Sequence, residues 1–517
     1  MKKNAPYLYH DVQSAGPQYL EDLATGYWFS EVLFAAVETD IFSRLDPDGA
    51  SLEKLAVVLE MNPEGLRRFL DALAALGLIT NHEERFFNTE ISGRCLVRGK
   101  KDYQGDSILW RKYLQPCWNG ITECLKAGGR VAYDQVDDPE ERKTCIRKYI
   151  RGMDCIAGTK AGEILRFFEG VPMKGGLLDV GAGSGAVAAA FLEQYPDMKA
   201  TLLDLPAILE FTKELMRERG VGAGVEYRDC NILERWPVGR KQFALVILSN
   251  IIHAHSEKEL PHVLAEAAAA VSDDGLLLIH DFFAGHCPEK AALTDLNMFI
   301  NTFNGRVFRS SLVQQELKSL GFQNILEAPL ETDTAVLFAS RSAAVIGSLS
   351  VGAVDRLLSK VQAIGFRRVY RMKAEEIPVA DWTDLKCRFG CERYGSPHCP
   401  PHSPDQAKTR SALKDYSSVL LLEGEPPTRD FQMKVLKAER EAFLQGFQKA
   451  FSFWSGPCSL CDSCVTDGNC RNTAMARPSM EGAGIDVFET AKRAGASLRP
   501  LRSKTEFAKY FGLLLLE

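Results

Sequence analysis

No apolar run in this 517-residue chain reaches the roughly 18 residues that would suggest a membrane span, so no membrane partner is expected. The start, MKKNAPYLYHDVQ, has two lysines but lacks the apolar stretch of a secretory signal, which predicts a cytoplasmic protein. A basic excess is also lacking. The 62 Lys and Arg face 68 Asp and Glu, a net charge of −6, with no basic stripe to follow a phosphate backbone, so nucleic acid is not an expected partner. Internal repeats and low-complexity tracts are absent as well, which excludes a solenoid. With 46% apolar and 25% charged residues, the chain is neither disordered nor collagen-like nor a coiled coil.

What is present is unevenly spread. From Val345 onward the net charge is +5, and before it −11. Seven of the 14 cysteines are scattered before residue 290, and the other seven fall between Cys387 and Cys470. At roughly 100–200 residues per domain, three or four domains are expected. The reading is multidomain: residues 1–130 an α-helical winged-helix domain, 131–340 an α/β Rossmann-like domain, 341–355 a linker of small, weakly patterned residues, and 356–517 a Cys-rich α/β metal-binding domain.

In the first of these, Trp28, Val32, Ala35 and Ala36 recur at helical spacing, with Ile41 and Leu45 extending the apolar face. Ser51 caps a short helix, and Pro63 opens another that carries Leu66, Phe69, Leu70, Leu73 and Leu76 up to Gly77. Residues 78–80 and 85–88 then read as a two-stranded wing. This helix, helix, helix, wing order occurs in DNA-binding proteins. Here it lies in the acidic part of the chain, and the helix at 64–76 offers only Arg67 and Arg68 against Glu64 and Asp71, so packing or dimerisation is the better reading.

Strands and helices alternate between 175 and 340, which predicts a parallel sheet covered on both faces. The strands are 176–180, 200–204, 225–229, 243–249, 275–281 and 334–339, and the helices 186–194, 208–219, 257–271 and 310–320, the last closed by Gly321. After the first strand comes Asp179-Val-Gly181-Ala-Gly183-Ser-Gly185. Glycines there permit a sharp turn and let a ligand lie against bare backbone, but the dinucleotide spacing G-x-G-x-x-G is not met. Asp179 would repel a pyrophosphate and suits a cationic or zwitterionic ligand. Asp204 ends the second strand, where a carboxylate can accept ribose hydroxyls, and Asp229 ends the third, where it can meet an adenine amino group.

On the DVGAGSG turn at 179–185, the Asp-Leu-Pro at 204–206, Asp229-Cys230 and the Ile-Ile-His253 after the fourth strand, residues 20–340 resemble the S-adenosylmethionine-dependent O-methyltransferases of the plant and hydroxyneurosporene type. The resemblance implies a winged-helix dimerisation domain, hence a homodimer, ahead of a Rossmann-like methyltransferase domain acting on a small-molecule methyl acceptor. It implies that Asp179, Gly181, Gly183 and Gly185 hold the methionine end of S-adenosylmethionine, that Asp204 and Leu205 hold the ribose, and that Asp229 and Cys230 flank the adenine. Ser249 is carried in the same set. It also implies that His253 is the general base, oriented by Asp281. His280, next to Asp281, could substitute for part of that network. The family's Asp-Trp after the histidine is here Ala254-His255, and the family's second acid has no counterpart in Val307-Phe308-Arg309-Ser310.

The late cysteines form two groups, Cys387-x3-Cys391-x7-Cys399 and Cys458-x2-Cys461-x2-Cys464-x5-Cys470. Clustered cysteines without an export signal point to metal before disulfides. Thiolates at i, i+3 and i+6 suit three corners of a [4Fe-4S] cluster, with zinc as the alternative. The first group, with His398 and His402 beside it, stays open as a second metal site or as the source of a fourth ligand to the first, and the two histidines themselves read as lining a proline-stiffened loop. Arg477-Pro-Ser-Met-Glu481 and Gly484-Ile-Asp-Val-Phe488 extend a resemblance of residues 387–495 to uncharacterised Cys-rich metal-binding domains of bacteria and archaea.

The function expected is methyl transfer to a phenol, enol or quinol-like oxygen. Two alternatives stay open: transfer to a soft nucleophile or metal-bound acceptor presented by the C-terminal domain, and a winged-helix redox or metal sensor.

Overall fold

The computed structural model describes residues 17–131, 138–331, 333–465, 469–501 and 509–517. The start at 1–16, and the parts of the expected domains at 132–137, 332, 466–468 and 502–508, lie outside the described residues. Two compact units form: Thr25–Val351, and Gly352–Glu517 together with Pro17–Ala24.

The first unit begins with helices Tyr27–Glu38, Ile41–Leu45, Leu52–Val58 and Pro63–Ala75. Their starts follow from local chemistry. The Ser51 hydroxyl accepts the Lys54 N–H, the Asn62 side-chain Oδ1 accepts those of Glu64 and Gly65, and Pro63 occupies a first-turn position where no N–H is needed. Between and after them lie β1 (Ala50–Ser51), β2 (Ile79–His82) and β3 (Arg85–Asn88), an antiparallel sheet in the order β1-β3-β2. The expected two-stranded wing is thus three-stranded, because Ala50 and Ser51 pair with Phe86 and Arg85. Trp28, expected on the apolar face, is 57% exposed; the helix buries Phe34, Ala36 and Val37, and Trp28 sits about 120° around it from Phe34. Helices Gly105–Asn119, Ile121–Ala127 and the 27-residue Pro139–Leu165 follow.

Strands β4 (Gly176–Val180), β5 (Lys199–Asp204), β6 (Val225–Asp229), β7 (Phe243–Ser249), β8 (Val271–Asp281), β9 (Asn324–Pro329) and β10 (Ala335–Ser340) form one sheet in the order β6-β5-β4-β7-β8-β10-β9. The first five are parallel, and β10 runs antiparallel between β8 and β9. This is a Rossmann-like sheet. Its strands read as continuous apolar runs because both faces are covered. Leu177, Leu202, Leu245, Ile247, Leu278 and Phe338 meet Ile164, Val187 and Phe191 on one face. Leu178, Val180, Val246, Leu248, Leu277, Ile279 and Leu337 meet Leu264, Ala267, Val313 and Leu317 on the other. The helix expected at 257–271 spans Leu260–Ala270, with Pro261 in its first turn. Part of the stretch expected as a linker, 341–355, is instead helix Ala343–Ser348, because Val345 and Ile346 pack on the sheet's core and Leu349 and Val351 are buried with them.

The second unit holds β11 (Arg368–Lys373), β12 (Ser418–Gly424), β13 (Phe451–Phe453) and β14 (Tyr510–Leu515), all antiparallel, in the order β11-β12-β14-β13. The period-2 alternation gives each face its own core. Val419, Leu421, Leu513 and Leu515 pack with Met480 and Ile485; Leu420, Leu422 and Leu514 pack with Phe431, Val435 and Trp454.

Candidate active site and metal centre

Strand order reverses between β4 and β7, and in open α/β sheets ligands bind beyond the C-terminal strand ends at such a point. The glycine turn lies there. Gly181, Gly183 and Gly185 have φ of 62°, 55° and 72°, a region other residues enter at a cost. Their surroundings differ. A Cβ on Gly181 would stand 2.2 Å from Ile251 Cδ1, and one on Gly185 2.8 Å from Met216 Sδ. One on Gly183 would meet nothing closer than Gly181 O at 3.9 Å, so Gly183 faces open space. The turn is fixed by the end of β5: Gly181 N–H donates to Leu203 O (2.8 Å) and Gly183 N–H to Asp204 Oδ2 (2.8 Å). The Thr212 hydroxyl donates to Gly183 O (2.6 Å).

Asp204 Oδ1 also accepts the Leu205 N–H at 2.7 Å, and burial raises its carboxyl pKa. Asp179 is 3% exposed, and burial pushes its carboxyl up to about 8, with the Asp204 charge adding to the rise. A buried carboxyl without a cation suits a ligand that brings one. Asp229 is exposed at the end of β6, while Cys230 is buried and its N–H ties β6 to Asp204 O at 2.9 Å. The buried acid, the open glycine and the strand-end carboxylate fit a zwitterionic amino acid joined to a nucleoside.

His253 lies in a one-turn 3-10 helix, Ile252–Ala254, just beyond β7. Its Nδ1 is 2.5 Å from Oδ1 of Asp281, which is fully buried at the end of β8, and its backbone N–H donates to Asp281 Oδ2 at 3.2 Å. Phe282 N–H donates to Asp281 Oδ1 as well (2.7 Å). His280 does not join this pair. It projects from the opposite face of β8, bridging Ser249 Oγ (2.8 Å) and Thr334 Oγ1 (3.0 Å), and burial pushes its imidazole down to about 4. Ser249 is therefore engaged by a neutral histidine.

Several residues of the site escape sequence reading. Arg306 N–H donates to His253 O (2.8 Å), and Gly305 packs so closely that a Cβ would lie 2.6 Å from that oxygen. In the stretch lacking the family acid, Val307 N–H is held by Asp295 Oδ1 at 2.7 Å. Tyr149 and Arg111 come from helices upstream of the sheet. Burial raises the Tyr149 phenol, with the Asp204 charge adding to it, yet 39% of the residue stays exposed, as expected for a cleft wall. Arg111 is exposed on its helix, and the ionisable groups acting on it are Asp333 and Tyr149. Nothing in the local sequence of either helix signals this placement.

In the second unit all seven late cysteines are free thiols. Cys387 lies on helix Trp382–Gly390, and Cys391 follows it. Cys399, Cys458, Cys461, Cys464 and Cys470 line one cavity with Arg393, His398, Arg471 and Asn472. Asn472 donates from Nδ2 to Cys461 Sγ (2.9 Å) and from its backbone N–H to Cys470 Sγ (3.3 Å). Burial pushes the Cys399 thiol up to about 11, with Cys391, Cys387, Cys464 and Cys458 adding to the rise. Such mutual repulsion of thiolates is what a cation relieves. Among the described residues no three Cys, His, Asp or Glu side chains already converge on one ion. The same residues include no helix long and apolar enough to cross a membrane.

Comparison with known proteins gives three family matches in chain order: the O-methyltransferase dimerisation domain over residues 21–98, the O-methyltransferase domain over 115–323, and the predicted metal-binding protein family DUF2284 over 370–516. The 3-hydroxy-5-methyl-1-naphthoate 3-O-methyltransferase of Streptomyces sahachiroi is 27% identical over 320 residues, spanning 60% of this chain and 90% of the relative. The tetracenomycin polyketide synthesis 8-O-methyl transferase TcmO of Streptomyces glaucescens is 26% identical, spanning 60% and 92%. An O-methyltransferase family protein from Burkholderia thailandensis shares the fold with a TM-score of 0.55 at 22% identity, covering 63% of this chain and 98% of that one. Human N-acetylserotonin methyltransferase, solved with S-adenosylmethionine, does so with 0.54 at 20%, covering 64% and 99%. The chain is an S-adenosylmethionine-dependent methyltransferase, with a dimerisation domain before its O-methyltransferase domain and a predicted metal-binding domain after it.

Proposed function

We propose that this enzyme methylates the hydroxyl oxygen of a small aromatic, enol or quinol-like acceptor, with His253 as general base and Asp281 as its orienting partner. The contact of 2.5 Å between them carries the reading. A carboxylate on Nδ1 fixes the tautomer with the proton on that nitrogen, so the Nε2 lone pair is left to take a proton. The acceptor hydroxyl passes its proton to Nε2, and Asp281 stabilises the imidazolium that results. Asp179 and the Gly181–Gly185 turn hold the amino acid end of S-adenosylmethionine, Asp204 and Leu205 its ribose, and Asp229 and Cys230 its adenine. When bound, this cofactor supplies an electrophilic methyl group on a cationic sulfur. The Phe282 ring, edge-on to His253 at 5.8 Å, offers an apolar wall to an aromatic acceptor. The hydroxynaphthoate and polyketide acceptors named for the relatives are of this class. The intact dyad argues against a soft nucleophile, which needs little help from a base.

The test is a panel of naphthols, hydroxybenzoates, quinols, thiols and amines incubated with cofactor and enzyme. Methyl ethers from the hydroxylated rings support the reading, and faster methylation of thiols or amines overturns it.

The N-terminal helices and three-stranded sheet read as a winged helix that pairs two copies of the chain. Exposed Tyr27, Trp28 and Phe29 support that use. In the C-terminal unit the candidate metal ligands are Cys387, Cys391, Cys399, Cys458, Cys461, Cys464 and Cys470; Cys458, Cys461 and Cys464 take three corners of one cluster, and the fourth comes from Cys470 or from the first group. The C-x2-C-x2-C spacing favours a [4Fe-4S] cluster over zinc, and the Asn472 N–H groups on two sulfurs suit thiolate ligands.

A further inference from the structure

We propose that His398 is a ligand, through Nε2, of the metal group held by the cysteines of the C-terminal unit. The proposal rests on the reading of that unit as metal-binding. His398 Nε2 is buried and has no hydrogen-bond partner. Buried polar atoms are nearly always paired, and an orphan calls for an unseen partner. The imidazole lines the same cavity as Cys399, Cys458, Cys461, Cys464 and Cys470.

The loop places it there by construction. Cys399 N–H donates to Ser396 O (2.9 Å), His402 N–H to Cys399 O (2.8 Å) and Gly395 N–H to Pro400 O (2.8 Å), and Pro397, Pro400 and Pro401 restrict the backbone further. These consecutive turns set His398 and Cys399 in the cavity and leave His402 exposed. The two histidines of one loop thus have different fates.

Arg393 and Arg471 line the cavity, and their charge suits a group that thiolates make anionic. Imidazole is a normal companion of thiolates around zinc, and in Rieske-type [2Fe-2S] centres two imidazoles replace two thiolates on one iron and raise the potential.

The experiment uses the full chain, purified without oxygen and analysed for iron, zinc and sulfide. With iron, pulsed EPR of the reduced protein should show nitrogen hyperfine coupling. With zinc, X-ray absorption should show imidazole scattering beside sulfur. Either signal should vanish in His398→Cys and persist in His402→Ala, and His398→Ala should weaken metal retention by roughly tenfold or more. A wild-type metal with sulfur ligands alone overturns the proposal and leaves the metal-binding reading intact. This outcome needs no variant and so does not depend on one folding. Wild-type protein with no bound metal overturns both.

Discussion

His253 and Asp281 come from the ends of two neighbouring parallel strands, and the imidazole Nδ1 meets the carboxylate Oδ1 at 2.5 Å across 28 residues of sequence. Replacing His253 by Ala should lower turnover by roughly 10²–10⁴-fold with cofactor affinity nearly unchanged. Asp281→Asn should also slow the reaction strongly, because an amide can hold the wrong tautomer in place. Calorimetry with the cofactor and turnover on the best acceptor separate the two effects. Wild-type turnover in His253→Ala would remove the base role.

If Asp179 holds the amino group of the cofactor, as proposed, binding is linked to a proton. The carboxyl's folded pKa of about 8 lies above that of an unfolded aspartate, so the free enzyme holds a proton that the unfolded chain has lost. Its contribution to stability is therefore complete below about pH 4 and declines as pH rises to about 8. A cationic amino group beside the carboxyl should expel that proton. Calorimetry at pH 6.5 in buffers of differing ionisation enthalpy should show close to one proton released per cofactor in the wild type and almost none in Asp179→Asn.

Gly181 and Gly183 share a positive φ but not a neighbourhood. Gly183→Ala should cost only about 1–2 kcal/mol of stability, the penalty of the left-handed backbone. Its methyl group would enter the open space, so cofactor should no longer raise the melting temperature. Gly181→Ala adds a clash with Ile251 worth about 1–3 kcal/mol more. Denaturant titration with and without cofactor distinguishes the two.

Cys461→Ser should lose metal and destabilise residues 380–500 while the methyltransferase domain still binds its cofactor. Metal analysis and limited proteolysis report on the two units separately. A metal content equal to wild type would remove Cys461 from the ligand set.

Light scattering at micromolar concentration should give the mass of a dimer. Trp28→Glu should lower it towards one chain if the exposed aromatics at 27–29 form the contact.

The central strands were legible because a sheet covered on both faces demands unbroken apolar runs, as in Leu245–Leu248 and Leu276–Ile279. Edge strand β9, with Glu327 and Pro329 in a six-residue run, carries no such pattern and was missed. So was helix Pro139–Leu165, whose charged surface hides the few positions it buries. The strand-end carboxylates and glycines could be read from spacing because they sit where topology requires them. Tyr149, Arg111 and Gly305 owe their places to how distant segments meet, which no local spacing records. The orphaned nitrogen of His398 became visible only once the fold had buried it.

Adjacent residues on β8 serve opposite sides of the sheet: His280 bridges Ser249 and Thr334, and Asp281 holds His253. A slip of β8 by one residue against β7 would present an imidazole to His253 and a carboxylate to the Ser249 hydroxyl. Insertions or deletions within 276–281 should therefore abolish catalysis even where every side chain survives and the hydrophobic layers can refill. The alignment of two strands thus decides which side chain faces His253 as much as the sequence of β8 does.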